Sequence, residues 1–270
     1  TYLPEVETYL QEKAQQEQTN NQLVTQGREN ALEQQPEKEK MKEEKKKIQN
    51  NFIVAAGLLA LFILYTVAIM FVDVQPIGPQ GSSVGFAEVN QYFHTLFGVN
   101  MLLYSITDWL SIAALFIMFG FAMVGLVQLI KRKSLFRVDS SILVLGGFYV
   151  LVFLAYLFFE FFVVNYRPVL IEGVLEASYP SSTTMLMMCI MPTAIMQFHH
   201  LISSKRLRNI VNAFCGIYAS FMVIGRVLSG VHWFTDIVGG ILLSATLVML
   251  YYSTNQLVNS KASRSSQRSR

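Results

Sequence analysis

The feature that most constrains this chain is a series of uncharged, apolar runs, each close to the length of one membrane crossing. The first extends over residues 52–72, and others follow at 109–130, 140–159, 184–202, 210–225 and 237–254. A helix needs about 20 such residues to cross the hydrocarbon core, and inside that core only helices and closed barrels satisfy their own backbone polar groups. The runs predict an all-α integral membrane protein, a bundle of six transmembrane helices at about 52–72, 109–130, 140–163, 184–202, 210–229 and 237–254. The fifth reaches full length only if Arg226 turns toward protein rather than lipid. Composition agrees, with 53% hydrophobic and only 14% charged residues, against about a quarter charged in soluble domains.

Residues 1–51 are a different material, a polar and charged tail rich in Gln, Glu, Lys and Asn. Leu3, Val6 and Leu10 recur at helical spacing and the pattern then fades, which predicts a disordered or loosely helical extension. Because the chain begins at Thr1 while Met41 precedes a Lys-rich flank, residues 1–40 are expected to be an addition or a truncated extension. Residues 255–270 form a basic C-terminal tail. Cys189 and Cys215 sit inside apolar runs, where cysteine behaves as a small hydrophobe.

Cytoplasmic loops of membrane proteins carry the Lys and Arg, so the connecting segments test the helix count. Lys42, Lys45, Lys46 and Lys47 precede the first run, and Lys131, Arg132, Lys133 and Arg137 separate the second from the third. Lys205, Arg206 and Arg208 lie between the fourth and fifth, and Lys261, Arg264, Arg268 and Arg270 follow the sixth. The opposite side holds only Arg167 and Arg226. Both termini are therefore expected in the cytoplasm and the opposite loops outside, in a multi-pass cell-membrane protein. The two exceptions then need an anion to meet.

Arg226 belongs to a stretch that also holds His232 and Asp236, and ionisable groups at a membrane edge are rarely kept without a partner. If the residues after Gly230 are helical, His232 and Asp236 stand four apart on one face, and the carboxylate can hold one ring nitrogen. The other nitrogen is then free as a nucleophile or base. The plainer alternative is a set of interfacial residues capping a helix. Arg167 lies just past the third run, and the outward stretch Tyr179-Pro-Ser-Ser-Thr-Thr184 leads into the fourth. A helix beginning near Ser181, Ser182 and Thr183 points free N–H groups and hydroxyls at the same level, which is an anion site. Two guanidiniums supply the planar donor forks that suit phosphate.

These residues resemble the type 2 phosphatidic acid phosphatase superfamily of membrane lipid phosphatases, whose signature is three blocks, KxxxxxxRP, PSGH and SRxxxxxHxxxD, on a six-helix bundle. The resemblance covers roughly residues 52–254. Arg167-Pro168 matches the end of the first block, Pro180-Ser181 the start of the second, and Arg226, His232 and Asp236 the third. It implies that His232 attacks phosphorus to form a phosphohistidine, that Asp236 orients it, and that Arg167 and Arg226 hold the phosphate oxygens. No metal or cofactor is implied. The implied partners are a membrane lipid substrate and the bilayer, with no nucleic acid.

Three positions depart from the pattern. Glu160 stands where the first block has Lys, Ser182-Thr183 where the second ends in Gly-His, and Gly225 where the third opens with Ser. The missing His is the family's general acid. A lipid monoester leaves as an alkoxide and gains about 10²–10⁴-fold from an acid, whereas a diphosphate leaves as a phosphate whose second pKa is near 6. The loss therefore tilts the expected substrate toward a lipid diphosphate, such as a polyprenyl diphosphate. Glu160 pulls the other way by repelling anions, unless it pairs with Arg167.

His94, in the outward segment 73–108, is either a replacement acid or an ordinary loop histidine, and that segment is a candidate lid or lipid gate. His199 and His200 fall at the cytoplasmic end, away from the site. The methionines at 185, 187, 188 and 191 read as adaptable packing. Two other functions fit the same residues: a phospholipid-binding or scaffold protein weakened in catalysis, and a phosphoryl or head-group transferase.

Overall fold

The computed structural model describes residues 3–268. Among them seven α-helices follow in order: α1 (Leu3–Phe71), α2 (Ala87–Phe97), α3 (Met101–Arg132), α4 (Ser140–Phe161), α5 (Ser182–Leu201), α6 (Lys205–Ser229) and α7 (Phe234–Arg268). Among the described residues there is no strand, only isolated bridges such as Tyr166–Ala177. The chain divides at Asn50 and Asn51 into a polar unit and a membrane unit. The polar unit, expected to be disordered or loosely helical, is helical from Leu3. Residues 255–268 of the C-terminal tail are likewise helical, because α7 continues past residue 254 to Arg268.

Each apolar run lies within a helix to within one residue, and the boundaries move for physical reasons. α3 begins at Met101, upstream of residue 109, because Asp108 does not end it: Asn100 caps the helix by accepting from Leu103 N at 2.9 Å, and the Asp108 carboxylate meets a cation. α6 starts at Lys205, where the Ser204 hydroxyl accepts from Leu207 N, so the basic loop is itself the first turn. α2, in the segment expected as a lid, is a short amphipathic helix tied back by Asn90, whose side-chain amide donates to Thr235 Oγ1 at 2.9 Å.

Among the described residues, five helical segments are long and apolar enough to cross a membrane: Lys38–Phe71, Met101–Arg132, Ser140–Phe161, Lys205–Ser229 and Phe234–Ala262. α5 is the sixth expected span and falls outside that set because it is the central helix. Its Thr183, Thr184, Thr193 and Gln197 are buried against protein, where polar side chains find partners that lipid cannot offer. The Gln197 amide, for instance, donates to Tyr251 Oη on α7 at 2.7 Å. Two buried apolar clusters flank α5. One joins Phe62, Leu145, Phe148, Met185 and Leu247, and the other joins Ala114, Met187, Ile190, Cys215 and Met222.

One end of the membrane unit is tied together by backbone. Asn100 N donates to Ser229 O at 2.9 Å, and Ser181 N to Asp236 O at 3.0 Å, which brings the starts of α3, α5 and α7 against the end of α6. Gly230 ends α6 with φ +64°, and a Cβ there would stand 1.9 Å from Gly98 O. Only glycine meets both conditions. The basic loops lie at the opposite ends of these helices, where His199 pairs with Asn212 at 3.2 Å.

Candidate active site

α7 opens with Trp233 as its N-cap and Asp236 in its first turn, and the Asp236 side chain reaches back to accept from Trp233 N at 3.0 Å. This is capping-box logic with an aspartate. It fixes the carboxylate at the helix entrance, where the helix dipole favours it. His232 precedes the cap and so stands outside the helix. The direct Asp236–imidazole contact expected from their spacing is therefore not what forms: the Ser178 hydroxyl donates to Asp236 Oδ2 and lies 3.0 Å from His232 Nδ1. Asn165 Nδ2 donates to the other carboxylate oxygen at 3.1 Å.

The far face of the imidazole meets Arg167, whose NH1 lies 3.2 Å from Nε2. Arg167 follows α4 on an extended strip, where its backbone N donates to Glu176 O at 3.0 Å. Its side-chain Nε stands 3.0 Å from the Glu176 carboxylate, close enough for an ion pair though without hydrogen-bond alignment. Among the described residues, then, Arg167 pairs with Glu176 and not with Glu160. Glu160 lines the same cavity of about 210 Å³ as Arg167, Glu176, Ser178, Ser182 and His232.

Arg226, on the last turn of α6, is 1% exposed. Its NH2 donates to Asp108 Oδ1 at 2.8 Å and to Thr183 Oγ1 at 2.7 Å. Thr183, where the second block would carry its histidine, is thus an acceptor for this arginine. The Tyr104 ring lies beneath both guanidiniums, 4.8 Å from Arg226 and 5.8 Å from Arg167. Gly225 has a packing reason to lack the serine of the third block, since a Cβ there would stand 2.6 Å from Thr107 Cγ2.

Several buried groups here have no protein partner: Nε and NH1 of Arg226, Ser181 Oγ and Thr184 Oγ1. Leaving a buried donor unpaired costs about 1–3 kcal/mol, and these groups are concentrated beside the first turn of α5, whose free N–H groups suit an anion. Burial, then the charges of Arg167 and Arg226, holds the His232 imidazole well below the usual histidine range, so it stays neutral. His94 stands apart from this arrangement. Its ring packs 5.4 Å from that of Trp233, burial lowers its pKa, and it shares only a crevice of about 10 Å³ with the back of His232.

The structure thus brings together Arg167, Ser181, Ser182, Thr183, Arg226, His232 and Asp236. Sequence reasoning missed Tyr104, Asp108, Asn165, Glu176 and Ser178. Asp108 carried the one available signal, a carboxylate at the edge of an apolar run. The other four are ordinary loop or helix residues whose partners appear only in three dimensions.

A family model described as the PAP2 superfamily matches residues 111–259, more than half of the chain. Among solved structures, the chain is similar to the crystal structure of the first transmembrane PAP2 type phosphatidylglycerolphosphate phosphatase from Bacillus subtilis. The TM-score is 0.52 at 19% identity, covering 76% of this chain and 96% of that one. At that identity the likeness speaks for the fold. No curated protein matches the chain.

Proposed function

The chain belongs to the PAP2 superfamily, and from that premise we propose that it removes phosphate from a membrane lipid phosphate, preferring lipid diphosphates, through a phosphohistidine on His232. The observation that carries this reading is the set of unpartnered buried donors on Arg226 and Ser181 beside a neutral imidazole. In the proposed reaction Nε2 attacks phosphorus, the bond from phosphorus to the leaving oxygen breaks, and water then hydrolyses the phosphorus–nitrogen bond. Arg167 and Arg226 offset the charge on the equatorial oxygens, which in a desolvated site is the largest contribution a protein makes to such a transfer.

The preference for diphosphate rests on Thr183. A hydroxyl is too weak an acid near neutral pH to protonate an alkoxide, and this one accepts a hydrogen bond from Arg226. A phosphate leaving group needs little protonation.

Three voids run in series from the site along the α3–α4 seam, and they suit a long apolar tail. The polar cavity shares Tyr156, Ser182 and Met185 with a second void of about 360 Å³. That void shares Met118, Tyr149 and Phe153 with a third, apolar one of about 620 Å³. By the distribution of Lys and Arg, the site faces the outside and both termini the cytoplasm.

Phosphate release by the purified protein in detergent tests the reading, with a polyprenyl diphosphate, a lysophosphatidate and phosphatidylglycerol phosphate as substrates and His232→Ala as control. Release that disappears in the variant, and is fastest from the diphosphate, is the expected result. Release no faster than in His232→Ala from all three would displace hydrolysis in favour of lipid binding.

A further inference from the structure

We infer that Ser178 is a positioning residue that carries the hold of Asp236 to His232 and fixes the imidazole as the tautomer protonated on Nδ1. The inference deepens the reading of His232 as nucleophile and rests on it for its catalytic meaning, but its geometric basis is separate.

A serine hydroxyl has one proton and two lone pairs. Asp236 is surrounded by donors, with Asn165 Nδ2 at 3.1 Å, Trp233 N at 3.0 Å and the Ser178 hydroxyl. The Ser178 proton is therefore committed to the carboxylate. Its oxygen, 3.0 Å from His232 Nδ1, can then only accept, so Nδ1 carries the hydrogen. The other side of the ring gives the same answer independently. Arg167 NH1 stands 3.2 Å from Nε2, and a guanidinium has donors but no acceptor. Nε2 must present its lone pair.

Local folding explains why Ser178 can do this. Ser178 N donates to Asn165 O at 2.9 Å, and the bridge between Tyr166 and Ala177 holds the two strips side by side. The strip that carries Asn165 and Arg167 thus also fixes Ser178, which is 2% exposed. A hydroxyl between carboxylate and imidazole lets Asp236 cap α7 and still govern a ring that lies outside the helix.

The test is ¹⁵N NMR of the full chain, labelled at both histidine nitrogens, in detergent, with the His232 signals assigned by their loss in His232→Gln. The expected wild-type pattern is a protonated, pyrrole-type Nδ1 and an unprotonated, pyridine-type Nε2. In Ser178→Ala, where Arg167 alone still favours the Nδ1-protonated ring, a fraction of the Nε2-protonated form should appear, and kcat for phosphate release should fall by about 10²-fold with KM changed less than about threefold. A wrong tautomer costs up to about 10⁴-fold in a histidine-dependent site, and water entering the vacated space would soften that loss. Ser178→Thr, which keeps the hydroxyl, should restore both readouts.

A wild-type His232 protonated on Nε2 overturns the inference, whatever the variants do. So does a Ser178→Ala protein with unchanged tautomer and unchanged kcat. If the tautomer moves in Ser178→Ala while His232→Ala still releases phosphate at the wild-type rate, the relay stands and the nucleophile reading falls.

Discussion

The two arginines of the site are held in opposite ways. Arg226 rides on the last turn of α6, 1% exposed, with one nitrogen fixed by both Asp108 and Thr183 and two others unpartnered. Arg167 sits on an extended strip, 11% exposed, paired with Glu176 and resting on Nε2 of His232. Arg226 is a fixed wall with donors in waiting. Arg167 covers the lone pair that the proposed reaction needs, so a phosphate must draw its N–H groups away before attack. Preorganised donors contribute more to a transition state than donors that must move, so in the proposed reaction Arg226 is expected to contribute more to rate than Arg167.

The comparison breaks most visibly at Arg226. Arg226→Ala should lower kcat/KM for phosphate release by roughly 10³-fold, and Arg226→Lys should recover little because an ammonium cannot reproduce the fork. Arg167→Ala should cost about 10²-fold, with more of the loss in KM; an equal or larger loss in kcat than at Arg226 would reverse the ranking.

Gly225→Ser should strain the packing of α6 against α3 beside the rigid arginine. Its side chain would collide with Thr107, and overpacking of this kind costs about 1–3 kcal/mol, read as a lower Tm in detergent.

The pH profile sharpens the same contrast. Because burial, and then the two guanidiniums, depress His232, its neutral form persists as pH falls. Release should therefore hold level through the ordinary histidine range near 6.5 and decline only below it. Removing Arg167 takes away one of the two charges, so in Arg167→Ala the acidic limb should move upward. The smallest effect belongs to Glu176→Gln: the carboxylate is 39% exposed, and an exposed pair contributes about 0–1 kcal/mol, so Tm should hardly change.

The parts of this multi-pass membrane protein that were legible in the sequence are those governed by one-dimensional rules. Apolar runs marked the helices, and the order of Arg167, Ser181, Arg226, His232 and Asp236 marked where they would meet. Contacts between segments were not legible. Asp108 looked like the end of a run because its partner, Arg226, lies on another helix. The spacing of His232 and Asp236 suggested a direct contact, but Trp233 caps the helix between them and Ser178 fills the gap. The ion pair open to Glu160 went to Glu176, because the strip pairing that aligns Arg167 with Glu176 is set by backbone bonds that leave no pattern in side-chain types.

The central claim is that phosphate passes through His232. Protein mixed with a ³²P-labelled polyprenyl diphosphate and quenched into base within milliseconds should carry label that is stable to base and lost in acid, as a phosphohistidine is, and His232→Ala should carry none. Phosphate release by the wild type with no labelled protein at any time, or equal labelling of the variant, would contradict it.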